Sequence, residues 1–292
     1  MKKAFVSTIV ASALVAGSAL AADLPSKKAP PYIPPPPPPL WTGFYVGLNA
    51  GGTWANQNSF DVVSAPSTPA VAAIGLAGLA TGVIPVGNSG GFIGGGQIGY
   101  NFQFANSFVA GVEADIQGVA GSNGDSGAGL TTAGAFSGGT AVSFTTATRR
   151  LDYLGTVRGR IGYLFTPTLL LYGTGGLAYG GVNAAFNVAQ VGVAGNAVGF
   201  AGFGGSSFSD TRAGWTAGGG VEWMFMPNWS AKVEYLYYDL GSVTQSAALV
   251  AVAPPIAYAT SQASTRFNGH IVRAGVNYHF NWFTPAPVVA KY

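Results

Sequence analysis

From Phe44 to Trp54 the chain alternates. Phe44, Val46, Leu48, Ala50 and Trp54 share one face, and Tyr45, Gly47, Asn49, Gly51 and Thr53 share the other. One face is apolar and the other small or polar, which predicts a β-strand. The pattern recurs over Phe92 to Phe104 and over Phe108 to Gly118, where Val112, Ala114 and Ile116 oppose Glu113, Asp115 and Gln117. From Leu151 to Phe165, Tyr153, Val157, Ile161 and Tyr163 oppose Asp152, Thr156, Arg158 and Arg160. Three further segments alternate in the same way, Arg212 to Phe225, Trp229 to Tyr237 and His270 to Phe280, and they set Glu222, Lys232, Glu234 and Arg273 on the polar face. Leu169 to Tyr179 is apolar on both faces, so its parity stays open. Eight antiparallel strands are expected.

Two kinds of connection join them. Ala105-Asn106-Ser107, Thr166-Pro167-Thr168 and Met226-Pro227-Asn228 read as tight turns, whereas the connections after strands one, three, five and seven run roughly 24 to 36 residues. Short turns alternating with long loops are the signature of an outer-membrane barrel, turns in the periplasm and loops outside. Aromatic residues gather at the turn ends, as a membrane-interface girdle requires: Trp41, Phe44, Phe104, Phe108, Phe165, Trp223, Trp229, Phe280 and Trp282.

Composition decides which face is inside. Only 8% of the 292 residues are charged, against roughly 25% in an ordinary soluble domain, while 48% are hydrophobic and Gly numbers 45. A soluble ligand barrel would turn its apolar face inward and its charges to water, leaving this chain a charge-poor outside and an overfilled interior. In a membrane barrel the faces invert. The polar face then lines the lumen with Glu113, Asp115, Glu222 and Glu234 against Arg158, Arg160, Lys232 and Arg273. Four acids meet four bases, and paired buried charges avoid the cost of isolated ones. The fold class expected is all-β, an eight-stranded antiparallel transmembrane β-barrel with short periplasmic turns and four long extracellular loops.

The termini carry other signals. Lys2 and Lys3 precede the apolar stretch Ala4 to Ala16, and Ala19-Leu20-Ala21 offers a cleavage site, so residues 1–21 read as a secretory signal peptide. Residues 22–40 read as a Pro-rich periplasmic linker. Eight of the ten residues from Pro30 to Pro39 are proline, an extended spacer that acts as a tether or reaches toward the cell wall. The barrel is assigned to 41–283 and a C-terminal tail to 284–292. Ala70 to Val83, the best candidate for a helical span, is too short and holds three glycines.

Chemistry is sparse. Cys is absent, which excludes disulfides, thiol redox chemistry and Cys-ligated metal. Gly94, Gly96 and Gly99 fit G-x-G-x-x-G, but inside an alternating strand rather than before a helix, so no phosphate cradle is expected. Glu113 and Asp115, two apart on one face, resemble a glycosidase pair, yet their position beside Arg158 and Arg160 favours ion pairing. His270 and His279 differ in parity and depth, so neither a metal site nor a catalytic triad assembles. The long loops hold no His, Met or Cys and a single Tyr, Tyr258, which argues against axial haem ligation there. Arg149, Arg150, Arg212 and Arg266 each lie just before a strand that runs inward from the outer rim. Four arginines at one depth match the phosphates of lipopolysaccharide. The formal net charge of +3 includes Lys2 and Lys3 and makes no case for nucleic acid.

Trp41-Thr42-Gly43-Phe44-Tyr45-Val46-Gly47, Tyr172-Gly173-Thr174-Gly175-Gly176-Leu177-Ala178-Tyr179 and Arg273-Ala274-Gly275-Val276-Asn277-Tyr278 resemble the small outer-membrane β-barrel proteins of alphaproteobacteria, related to opacity-type proteins and the OmpA and OmpX barrels. The resemblance covers Trp41 to Phe280. It implies abundant, heat-modifiable, immunodominant surface proteins, some described as porins or haem binders. Such barrels usually end at the terminal Phe read by the assembly machinery, whereas Phe280 is followed by twelve more residues here. The function expected is structural and surface-presenting, without catalysis or cofactor, with a lumen closed by ion pairs. The expected partners are outer-membrane lipid, lipopolysaccharide and the assembly machinery. A narrow porin, or a surface adhesin or haem-contacting protein acting through the loops, is the alternative.

Overall fold

The computed structural model describes residues 40–87, 91–121 and 126–280. The signal peptide, all but the last residue of the linker, the tail and Trp282 lie outside the described residues.

Eleven strands and one helix follow in order: β1 (Gly43–Ala55), β2 (Ser59–Pro66), α1 (Val71–Leu79), β3 (Gly82–Pro85), β4 (Gly91–Phe104), β5 (Phe108–Ala120), β6 (Ser126–Phe136), β7 (Gly139–Thr166), β8 (Leu169–Gly195), β9 (Ala201–Met226), β10 (Trp229–Ala251) and β11 (Ala257–Phe280). Eight of them pair antiparallel in the order β1, β4, β5, β7, β8, β9, β10, β11, and β11 pairs back onto β1 from Phe44↔Phe280 to Ala55↔Gly269. The ring is closed. Closure removes the unpaired edges that an open sheet would expose.

In the half of the ring near the tight turns, apolar side chains face out: Leu48 is 73% exposed, Ile161 62%, Val112 60% and Val233 60%. Their strand neighbours Asn49, Arg160, Glu113 and Lys232 are buried inside. Gly99 on β4 makes room for an inward ring. A Cβ there would lie 2.4 Å from the Tyr45 side chain.

The long connections are not loops. β7, β8 and β9 run 28, 27 and 26 residues and continue well past the ends of β1, β4 and β5. Above those ends β2 pairs with β11, β3 with β2 and β6 with β7, so a second storey stands on the first. Its interior is mainly apolar, with Phe60, Ile84, Phe186, Leu249 and Phe267 buried in one cluster. Outward positions on β10 there are Ser242, Thr244, Ser246 and Ala248, all exposed. The polarity is that of a soluble β-sheet.

A register shift on β10 between Asp239 and Ser242, with Gly241 at φ 79°, exchanges the faces: even positions point inward below it and odd positions above. The shift on β7 between Leu151 and Tyr153 does the same. Within Ala70 to Val83 the structure forms α1 and the first half of β3. No helix among the described residues is long and apolar enough to cross a membrane. α1 has no side-chain cap and no charge at either end. Nine residues are marginal as an isolated helix, and packing holds it. Leu76 and Ala77 join the upper cluster, Gln190 Nε2 donates to Leu76 O at 2.7 Å, and Thr132 Oγ1 donates to Leu79 O at 2.5 Å.

Candidate functional site

The lower interior is an ionic network. Glu113 and Asp115 come from β5, Arg158 and Arg160 from β7, Glu222 from β9, Lys232 and Glu234 from β10 and Arg273 from β11. All eight are at most 5% exposed. Arg158 sits at the centre. Its guanidinium contacts Asp115 Oδ2 at 2.9 Å, Glu234 Oε1 at 2.9 Å and Glu113. Arg273 reaches Asp115 Oδ2 at 2.9 Å and Glu234 Oε2 at 2.6 Å, and Lys232 Nζ reaches Glu113 Oε2 at 2.8 Å. Arg160 pairs with Glu222 Oε2 at 2.5 Å and lies over the Tyr172 ring at 4.3 Å.

Neutral groups satisfy much of the remaining capacity. Tyr45 Oη donates to Glu113 Oε2 at 2.7 Å, Tyr172 Oη to Glu234 Oε1 at 3.1 Å and Thr156 Oγ1 to Asp115 Oδ2 at 2.8 Å. Ser230 Oγ and Asn277 Nδ2 donate to Glu222 Oε1 at 2.5 and 2.8 Å. Both atoms of the Asn101 amide, Arg160 Nε and Arg273 Nη1 are buried without a protein partner. Such atoms mark positions for enclosed water. The two inward tyrosines belong to the network and were absent from the sequence-based site. Their signal was a glycine on the neighbouring strand: Gly99 lies under Tyr45, and a Cβ at Gly220 would lie 2.8 Å from Tyr172 Oη.

The turn end is closed by a tryptophan that was expected outside. Trp41 is 1% exposed, donates Nε1 to Pro167 O at 3.0 Å, meets the His279 ring edge-on and packs with Val109, Leu164, Leu170 and Met224. It stands before β1, where strand alternation does not apply, and Gly43 at φ 142° turns the chain. The girdle assignment of Trp41 is therefore corrected: an indole with a carbonyl acceptor is buried readily. Phe44, Phe104, Phe108, Phe165, Trp223 and Trp229 are exposed at the turn end, and Phe280 is half-buried there. His279 lies inside, 2.9 Å from Ser230 Oγ, and His270 lies outside, 2.7 Å from Tyr235 Oη. No group of three or more His, Cys, Asp or Glu among the described residues could hold a metal ion.

The four rim arginines do not share one setting. Arg149 points inward, over the Phe267 ring at 4.9 Å, and donates to Gln57 O. The β7 bulge is the reason. Counting parity upward from Arg158 places Arg149 outside and Asp152 inside, and the extra residue reverses both, so these placements are corrected. Asp152 lies at the surface and pairs with Arg150 at 2.7 Å, with side chains 40% and 56% exposed. Arg266 binds Asp239 Oδ2 at 2.5 Å, and Arg212 donates to Ser242 O at 2.9 Å.

A closed antiparallel ring, apolar outside and ionic within, defines an outer-membrane barrel protein. The model of the outer membrane protein β-barrel domain matches residues 9–280, and the chain belongs to that family. It is 36% identical over 279 residues to the 31 kDa outer-membrane immunogenic protein of Brucella melitensis, covering 94% of this chain and 99% of that one. The 22 kDa outer membrane protein of Rhizobium leguminosarum bv. viciae is 33% identical over 150 residues, 51% of this chain and 53% of that one. Among solved structures, OprG of Pseudomonas aeruginosa matches at 10% identity and a TM-score of 0.38, covering 82% of this chain and 97% of that one, a likeness too loose to carry an argument. The family resemblance read from the Trp41, Tyr172 and Arg273 segments holds. The protein is one of the outer membrane.

Proposed function

We propose that the chain is a closed, surface-presenting barrel: the lower storey spans the outer membrane, the tight turns face the periplasm and the upper storey stands outside the cell. The observation that carries this reading is the filled interior. Side chains about fill an eight-stranded barrel, and here the ionic network below is capped by the apolar cluster and α1 above. A solute would have to break buried ion pairs and then cross a packed, mainly apolar core. The role is structural and display-related, without catalysis, in keeping with a relative named for being immunogenic. At the outer rim Arg150, Arg212 and Arg266, the three rim arginines that are not buried, contact lipopolysaccharide. Planar-bilayer recording tests the closed barrel. Purified protein is expected to give no large persistent open state, and such a state would replace this reading with a narrow porin.

A further inference from the structure

On the outer wall of β7, β8 and β9, just above the rim, the register sets out four rows. Phe144, Ala189 and Phe203 form the top row, Thr146, Asn187 and Gly205 the next, Thr148, Ala185 and Ser207 the third, and Arg150, Asn183 and Ser209 the lowest. Phe144 and Phe203 are 45% and 61% exposed. At the two lowest rows lies a hollow of about 400 Å³, with Ala185 in its lining and Arg150, Asp152, Asn183, Ser207 and Ser209 around it. That volume is within the roughly 300–1,000 Å³ of small-molecule sites.

The chemistry of the hollow is neutral. Asp152 offsets Arg150, and Asn183 Nδ2 donates to Asp152 Oδ2 at 2.7 Å, so the planar polar groups are held in place. A free phosphate would meet the Asp152 carboxylate as well as the guanidinium. A polyhydroxylated ring suits the site better. Amide, hydroxyl and guanidinium groups offer donors and acceptors in the pattern that sugar hydroxyls need, and the Phe144 and Phe203 rings stand two rows above, where a further sugar of a chain would lay its C–H side. Below the hollow β7 presents Val157 and Ile161, 51% and 62% exposed, to the lipid. The site therefore opens sideways at the height where the sugars of the outer leaflet begin.

We propose that this hollow is a saccharide site occupied by the core sugars of lipopolysaccharide, a reading that rests on the orientation proposed above. The full-length mature protein, folded in detergent, is titrated with lipopolysaccharide carrying a complete core and with a core-truncated form that keeps lipid A and its phosphates, and affinity is read from the ligand-dependent rise in Tm. The complete-core form is expected to bind about ten-fold tighter, which one well-made additional set of contacts provides. Ala185→Trp, which fills the hollow from an outward position, should bring the two affinities together, and the paired change Ser207→Ala with Ser209→Ala should narrow the gap if Ala185→Trp folds poorly. Arg212→Gln with Arg266→Gln should weaken both ligands alike and leave the ratio intact. Equal binding of the two forms by the wild type would overturn the saccharide site while leaving the arginine rim standing. Binding of neither form would overturn both.

Discussion

Arg158 shows what a single buried side chain commits the fold to. Its guanidinium contacts three carboxylates, and each of these has a second cation or hydroxyl partner. Replacing it by Met leaves an excess of buried negative charge, which costs about 3–5 kcal/mol where a pair is broken on one side only. Urea unfolding in lipid vesicles is expected to show that loss for Arg158→Met. Combining it with Glu234→Gln should cost less than the two changes summed, because the pair shares one contact. At the rim, burial works against the charge on Asp239, but the Arg266 guanidinium and the Gly241 amide hold its carboxyl below the ordinary carboxylate range. The depressed value means that the contact stabilises above the ordinary carboxylate pKa of about 4 and is lost as pH falls through the folded one. Asp239→Asn should lower Tm at pH 7, and the difference from wild type should shrink as the pH falls below about 4. Parity made the eight interior ions legible in the sequence because each alternates with an outward Val, Ala, Ile or Tyr. Trp41 and Arg149 were misplaced because one precedes the first strand and the other is separated from the interior ions of β7 by a bulge, and alternation carries no sign of an extra residue.

At the scale of elements, the β9–β10 ladder is broken. Pairing stops at Trp215↔Asp239 and resumes only at Phe203↔Val250, although both strands stay paired to their other neighbours. Arg212 bonds across the interruption to Ser242 O. Amide exchange should separate the two sides of these strands. Between 204 and 214 and between 240 and 249, N–H groups that face the interruption are expected to exchange faster than those bonded to β8 or β11, and uniform protection along both segments would contradict the interruption. The upper extensions were hidden for a related reason. Ser242, Val243, Thr244, Gln245, Ser246, Ala247, Ala248 and Leu249 do alternate, but with polar residues outward, the reverse of the greasy-outward rule that identified the lower strands. A segment of small neutral residues obeying the opposite rule reads as loop.

In the proposed orientation the whole molecule joins two solvents along one axis. β7 to β11 run through both storeys, while β1, β4 and β5 stop and β2, β3 and β6 take their places, with β3 and β6 meeting without a ladder. The exchange of polarity at the bulges of β7 and β10 is what lets one strand serve lipid below and water above. The composition disclosed the first environment clearly, through its scarcity of charge. It disclosed the second poorly, because a hydroxyl-rich wall adds no charge to the count.

That exchange of strands has a consequence for recognition by immune systems. On the upper storey, surface neighbours come from distant stretches of the chain, as Phe144, Ala189 and Phe203 do in one exposed row. In the proposed orientation, an antibody raised against the intact upper storey reads a mosaic that no linear fragment carries, so short peptides copied from its hairpins would make poor vaccines.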